Sequence, residues 1–405
     1  MAHRLPLAAT VSLLALAAAP DDAGASAFQL NERSTKALGA ALAGATSAAT
    51  DVSFAGFNPA ALATVEKSEV AASVSPIVPQ AEGDVEGFGQ RVHPDQAAVA
   101  PAFAGGYRLL DDVVLGLVSH APFGLTTDYE SDFVGALDAE TTEFFTLQAS
   151  PMASWEATGT LSFGAALNVL YSKARLSNAA VDARGDAVDV GFSAGLLFEP
   201  VRGTRLGLAY HHGYDLELEG DNEIGVLPGE PTFDSSTVAH LPNAVHVGLT
   251  QEITPDFRLM AEGRWIGWSR FDEVDIVSPE APDLRPVGGP DFSDLTELQN
   301  YEDAFFVGIG AEYDATDRLT LRGGLAFDET PTTDAARNPR VPDEDRTWFA
   351  VGGSYAISDR FTVDAGYALL YMFEDTVVRL NSVPAEVVYE GTHLHVLSVG
   401  GVLRF

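Results

Sequence analysis

The sequence predicts an all-β protein, a transmembrane antiparallel β-barrel of about 14 strands with an N-terminal plug, or hatch, in its lumen. Three observations carry this. After residue 67 the chain runs as amphipathic stretches of about ten residues, the length of a tilted membrane-crossing strand. Those stretches are joined alternately by tight polar turns and long acidic loops, as a closed meander with unequal ends requires. No stretch after the N-terminus approaches the roughly 20 apolar residues of a spanning helix, so any crossing must be made by strands.

The elements follow in order. Arg4, the apolar run from Leu5 to Ala19, and Ala25-Ser26-Ala27 form a secretory signal, with cleavage expected before Phe28. Residues 1–27 are therefore read as a signal peptide, 28–67 as the hatch and 68–405 as the barrel. The hatch is Ala- and Gly-rich, lacks strand alternation, and holds a helix-compatible stretch from Ser34 to Ala43. A barrel of about 14 strands is wider than its own side chains can fill, which gives this segment its place.

Strands are expected to start near Glu69, Ala97, Val113, Phe144, Leu161, Ala187, Arg205, Asn243, Phe257, Ala304, Arg318, Arg346, Phe361 and His393. An even number leaves both ends of the barrel in the periplasm. The short turns, such as Leu110-Asp111-Asp112, Ala157-Thr158-Gly159 and Thr316-Asp317, face the same side. Alternation is clearest late in the chain. From Leu319 to Asp328 one face carries Leu319, Leu321, Gly323, Leu325 and Phe327 for lipid, and the other carries Thr320, Arg322, Gly324, Ala326 and Asp328 for the lumen. The last strand ends on Phe405, which resembles the C-terminal signal read by the barrel-assembly machinery.

Composition narrows the function. The chain carries a net charge of -35, and residues 272–303 hold ten carboxylates against the single base Arg285. Such a surface excludes nucleic acid as a partner. It suits solvated, mutually repelling loops better than a divalent-ion or lipopolysaccharide bridge. The absence of cysteine fits export through an oxidising compartment. The histidines at 93, 120, 211, 212, 240, 246, 393 and 395 show no metal-ligand spacing and no Gly-x-Ser-x-Gly partner, so no enzyme, metal or cofactor is expected.

Motifs then point to a family. Phe28-Gln29-Leu30-Asn31-Glu32, Ala37-Leu38-Gly39, Phe57-Asn58-Pro59-Ala60, Pro122 through Tyr129, Trp268-Ser269-Arg270-Phe271, and Gly324 through Pro331 with Val341 through Arg346 together resemble the FadL family. These are outer-membrane transporters of long-chain fatty acids and aromatic hydrocarbons. The resemblance runs in the same order through nearly the whole mature chain. It implies a fourteen-stranded barrel, a hatch of about forty residues and passive transport of a hydrophobic ligand. That ligand would be captured by outer loops, bound in the lumen and released sideways at a kinked third strand.

On this basis the third strand, with His120, Pro122 and Gly124, is the expected lateral gap, since proline removes a ladder donor and glycine permits unusual backbone angles. Asn58, Pro59 and Ala60 match the hatch motif and are expected to form a structural turn. Phe28, Gln29 and Leu30 are candidates for ligand contact. A fatty-acid carboxylate needs a cation or several donors, for which Arg258, Arg264, Arg322 and Arg346 are the candidates, each also able to pair within the wall. The expected partners are the fatty acid or hydrocarbon, outer-membrane lipid and lipopolysaccharide, with the chain a monomer. A general porin or an adhesive barrel are the rivals, and a neutral hydrocarbon rivals the fatty acid because the acidic exterior repels anions.

Overall fold

The computed structural model describes residues 27–94 and 96–405, so the expected signal peptide lies outside the described residues. The wall is one closed antiparallel sheet whose nineteen hydrogen-bonded pieces make fourteen strands, five of them interrupted. In chain order these are β1 (Ser68–Gln80), β2 (Ala98–Arg108), β3 (Val113–His120, then Gly124–Asp128), β4 (Thr141–Thr158), β5 (Leu161–Ser177) and β6 (Val181–Val201). They continue as β7 (Thr204–His211, then Asp215–Ile224), β8 (Thr232–His240, then Ala244–Thr254), β9 (Phe257–Ile266, then Glu273–Val277) and β10 (Asp294–Leu298, then Ala304–Thr316). The wall ends with β11 (Leu319–Asp328), β12 (Arg346–Ser358), β13 (Phe361–Met372) and β14 (His393–Arg404).

The barrel closes where β1 meets β14, with Glu69 opposite Arg404 and their side chains 2.7 Å apart. Closure leaves no free sheet edge, the condition for a sheet to cross lipid. Alternation sorts the side chains as the sequence predicts. Leu321, Leu325, Phe327, Val351, Leu397 and Val399 are exposed on the outside, whereas Asp328, Thr362 and Asp364 are buried inside. Near the short turns, exposed Tyr107, Trp155, Tyr313, Tyr355 and Phe405 form an interfacial girdle.

Three strands start well before the expected residue: β6 at Val181, β8 at Thr232 and β10 at Asp294. β6 starts at Val181, so the connection from β5 is only the three residues 178–180; β4, β5 and β6, of 18, 17 and 21 residues, are the longest uninterrupted strands among the described residues. Strand length was underestimated because the rim halves carry charged residues such as Asp182, Arg184 and Asp186, which break the hydrophobic signal without breaking the ladder. At the outer end, Gly83–Val85, Gln90–Val92, Thr376–Arg379 and Glu386–Tyr389 form a small separate sheet. Its buried Val85, Val387 and Tyr389 pack with Tyr129 and Phe133 from the loop after β3.

Residues 27–65 are almost entirely buried and pack against wall strands on several sides. Helix α1 (Thr35–Leu38) is shorter than the expected Ser34–Ala43 stretch, because Ala41 and Leu42 adopt left-handed φ of 50° and 61°. Two 3-10 turns follow, Val52–Gly56 capped by Asp51 and Pro59–Thr64 capped by Asn58. Hydrogen bonds fasten this segment around the circumference. Thr35 reaches Ser398 of β14, the Thr46 amide donates to Glu262 of β9 at 3.1 Å, and Arg205 of β7 donates to the Ala48 carbonyl at 2.6 Å. The Val52 amide donates to Glu69 of β1 at 2.7 Å, and Arg108 of β2 donates to the Val65 carbonyl at 2.8 Å.

Candidate functional site

The site begins with one extra residue. Along β3 and β4, His120 pairs with Gln148 but Gly124 pairs with Phe145, so β3 spends four steps where β4 spends three. Pro122 cannot donate to a ladder, and the chain bulges there. The freed backbone groups find other partners. Thr146 Oγ1 accepts from the Phe123 amide at 3.0 Å and donates to its carbonyl at 2.5 Å. The Leu30 amide donates to the Pro122 carbonyl at 2.8 Å, and the Gly124 amide donates to the Phe28 carbonyl at 2.9 Å. Phe28, Gln29 and Leu30 thus pair with the bulge as a short inner strand.

On its other side β3 leaves its neighbour. β2 and β3 are paired from Ala102 opposite His120 down to Arg108 opposite Val114, while Ala98 to Pro101 of β2 pair only with β1. The outer half of β3 pairs only with β4. The ladder between β2 and β3 therefore ends at His120 and is missing where Pro122 and Gly124 lie.

Above the bulge, Phe28 is the hub of an aromatic cluster. Its ring lies 4.8 Å from Trp268, 5.2 Å from Phe271, 5.5 Å from Phe144 and 6.1 Å from Phe123. Tyr301 extends the cluster, its ring 5.0 Å from Phe271 and 5.7 Å from Trp268. A narrow apolar cavity of about 70 Å³ adjoins this cluster, walled by Phe28, Leu125, Phe144, Leu218, Leu241 and Phe271. At its outer end Arg340 Nε meets both oxygens of Glu297, at 3.0 and 2.9 Å.

The candidate arginines divide between two regions. Arg258 pairs with Glu312 at 2.8 Å and Asp314 at 2.6 Å; Arg322 pairs with Glu312 and donates to Ser354 at 2.6 Å. Both line a polar cavity of about 420 Å³ near the short turns, together with Lys36, Arg205 and Arg318. Arg264 pairs with Glu262 at 3.3 Å, donates to Asn31 at 2.7 Å and lies over the rings of Phe57 and Phe306. Arg346 pairs with Asp343, which also accepts from the Ala27 amide at 2.7 Å. Nη2 of Arg264 and both Nε and Nη1 of Arg346 are buried without a hydrogen-bond partner among the described residues.

Asn58 does more than cap a turn. Its Oδ1 accepts from the Ala60 amide at 3.0 Å, while Nδ2 donates to the carbonyls of Thr46 at 2.9 Å and Leu196 of β6 at 3.0 Å. Asn58→Ala would strand buried acceptors, at a cost of about 1–3 kcal/mol each. The expected outcome is faster hydrogen exchange of residues 44–65 with the wall strands unchanged; equal exchange in the variant would contradict the role.

His211 completes a polar chain along the inner face of β7, β6, β5 and β4. It contacts Ser193 at 3.0 Å and the Phe57 carbonyl at 3.0 Å; Asn168, Ser150, Gln148 and Tyr214 extend the chain. Among the described residues no cluster fit for a metal ion is present. Sequence reading did not single out Arg340 and Glu297, because Arg340 lies in a loop and Glu297 in the outer piece of β10, which precedes the expected strand start at Ala304. The aromatic partners Trp268 and Phe271 were visible only as motif matches.

The family described as outer membrane protein transport protein (OMPP1/FadL/TodX) matches residues 16–396. The chain is 26% identical to a 47 kDa outer membrane protein of Pasteurella multocida, covering 91% of this chain and 93% of that protein. It is 23% identical to the long-chain fatty acid transport protein of Escherichia coli K12, covering 94% and 96%. Its fold matches the crystal structure of a Pseudomonas aeruginosa FadL homologue with a TM-score of 0.80, at 20% identity over 93% and 99% of the two chains. The toluene transporter TodX of Pseudomonas putida matches with a TM-score of 0.67, at 16% identity over 86% and 92%. The closed barrel and these relatives place the protein in the bacterial outer membrane, and it belongs to the OMPP1/FadL/TodX family of outer membrane transport proteins.

Proposed function

We propose that this protein is a passive channel for long-chain fatty acids or similar hydrophobic compounds. The ligand is captured among the outer loops, held in the apolar cavity beside Phe28 and released sideways at the β3 bulge, while residues 28–67 act as the hatch. One contrast carries the reading. The upper cavity is walled by apolar side chains and borders Leu125 and Phe144 next to the bulge, whereas the lower cavity is lined by Lys36, Arg205, Arg258, Glu312 and Arg322. Each methylene of a lipid tail gains about 0.8 kcal/mol on leaving water, so the charged axial route is the unfavourable one and the wall opening the favourable one.

For a carboxylate headgroup, the unpartnered N–H groups of Arg346 and Arg264 are the available donors near the N-terminal segment. The names of the relatives support both ligand classes, one being a long-chain fatty acid transport protein and another a toluene transporter. A neutral hydrocarbon is the second reading, favoured by the net charge of -35, which repels anions at low salt. The test is uptake of radiolabelled long-chain fatty acid and of radiolabelled toluene by cells that lack their own transporter and express this chain. Saturable fatty-acid uptake supports the first reading, toluene uptake alone the second. Uptake of neither from a correctly inserted barrel would overturn both.

A further inference from the structure

A second, more open hollow lies above the apolar cavity, among the outer loops. It is lined by Val181, Ile276, Phe292, Leu295 and Arg379, and it shares Leu176, Glu297 and Arg340 with the cavity below. The two spaces therefore meet at a single charged pair. Arg340 is reached from three directions. Its Nε holds Glu297 on the outer part of β10, while Nη1 donates to the Ser177 carbonyl at 3.0 Å and to Thr142 Oγ1 at 3.1 Å, at the ends of β5 and β4. The guanidinium thus bridges opposite sides of the opening.

The backbone around Arg340 is held as firmly. Thr127 Oγ1 donates to the Arg340 carbonyl at 3.2 Å, and Tyr129 Oη donates to the Pro339 carbonyl at 2.7 Å. Thr127 lies at the outer end of β3 and Tyr129 just beyond it. Tyr129 also meets the hydroxyl of Tyr389 at 2.7 Å, in the small outer sheet. The arginine is buried, while the Glu297 side chain remains 30% exposed, so the carboxylate is the movable partner.

We propose that Arg340 and Glu297 form a charged bar between the outer hollow and the apolar cavity and select the ligand's headgroup. A ligand carboxylate takes the place of Glu297 on Arg340, exchanging one charge-assisted pair for another, and Glu297 turns into the water of the outer hollow. A neutral chain offers no such exchange and must part the pair uncompensated. This inference rests on the uptake reading above and gives it a specificity element.

The test is binding of hexadecanoate and of hexadecane, both radiolabelled, to the purified full chain in detergent. Heat-modifiable migration checks that each variant is folded. The wild type is expected to favour hexadecanoate. Arg340→Gln is expected to weaken hexadecanoate about tenfold and leave hexadecane unchanged, Arg340→Lys to keep most of the preference, and Glu297→Gln to tighten hexadecanoate by about tenfold. Equal shifts for both ligands, or no shift in either substitution at Arg340 and Glu297, would overturn the selective bar. If the wild type binds hexadecane alone, headgroup selection fails while the uptake reading stands; if it binds neither, the uptake reading fails with it.

Discussion

Replacing Gly324 and Gly207 together by valine is expected to convert a closed barrel into an ion-conducting pore. Both glycines face the lumen, where the N-terminal segment approaches the wall with its own backbone. A β-carbon at Gly324 would fall against the Ala40 carbonyl, and one at Gly207 against the Thr46 carbonyl. Neither obstacle is the tip of a flexible side chain. The wall cannot yield, because Gly324 sits in ladders with β10 and β12, and Gly207 in ladders with β6 and β8. The segment must move instead, and a fourteen-stranded barrel without it is too wide for its side chains to close. Planar-bilayer recording is expected to show steady conductance at least tenfold above the wild type, on the view that the segment is the only closure. Unchanged conductance from a folded double variant would show that residues 28–67 are not what closes the lumen.

Deleting Pro122 is expected to abolish uptake while leaving the barrel intact. The deletion removes the single residue by which β3 exceeds β4 between the His120–Gln148 and Gly124–Phe145 pairs, so the ladder can run without interruption. Thr146 would then no longer be needed to satisfy Phe123, and Phe28 to Leu30 would lose their backbone partners at Pro122 and Gly124. With the kink removed, β3 no longer bends away from β2 beyond the Ala102–His120 pair, so the wall can close there and the cavity loses its sideways outlet. Fatty-acid uptake should fall by at least tenfold, to the level of cells without the channel, and heat-modifiable migration should persist, since a repaired ladder gains hydrogen bonds. Uptake at the wild-type level would rule out the bulge as the route.

Much of this arrangement can be read from the residues, and the reason is physical. Period-two alternation reports which face meets lipid, so Arg258, Glu262 and Arg264 fall on the lumen side and the strand starts expected at Phe257, Arg318 and Phe361 lie within a residue of those observed. Alternation says nothing about interruptions. The breaks at His212-Gly213-Tyr214 in β7 and Leu241-Pro242-Asn243 in β8 look like ordinary turn chemistry until pairing shows that both pieces continue one strand. The pair of Arg340 with Glu297 joins residues 43 apart, one in a loop and one on the outer piece of β10, which no periodicity connects. The same holds for the contact of Gly324 with Ala40, where the informative feature is a missing side chain.

The most direct test of the apolar lateral route is a photoactivatable fatty acid, cross-linked to the wild-type chain in native membranes and mapped by mass spectrometry. The account predicts adducts at Phe28, Leu125, Phe144 and Phe271, the residues around the cavity beside the bulge. Adducts confined to Lys36, Met260 and Thr320 in the charged cavity near the short turns would contradict it and place the route along the barrel axis.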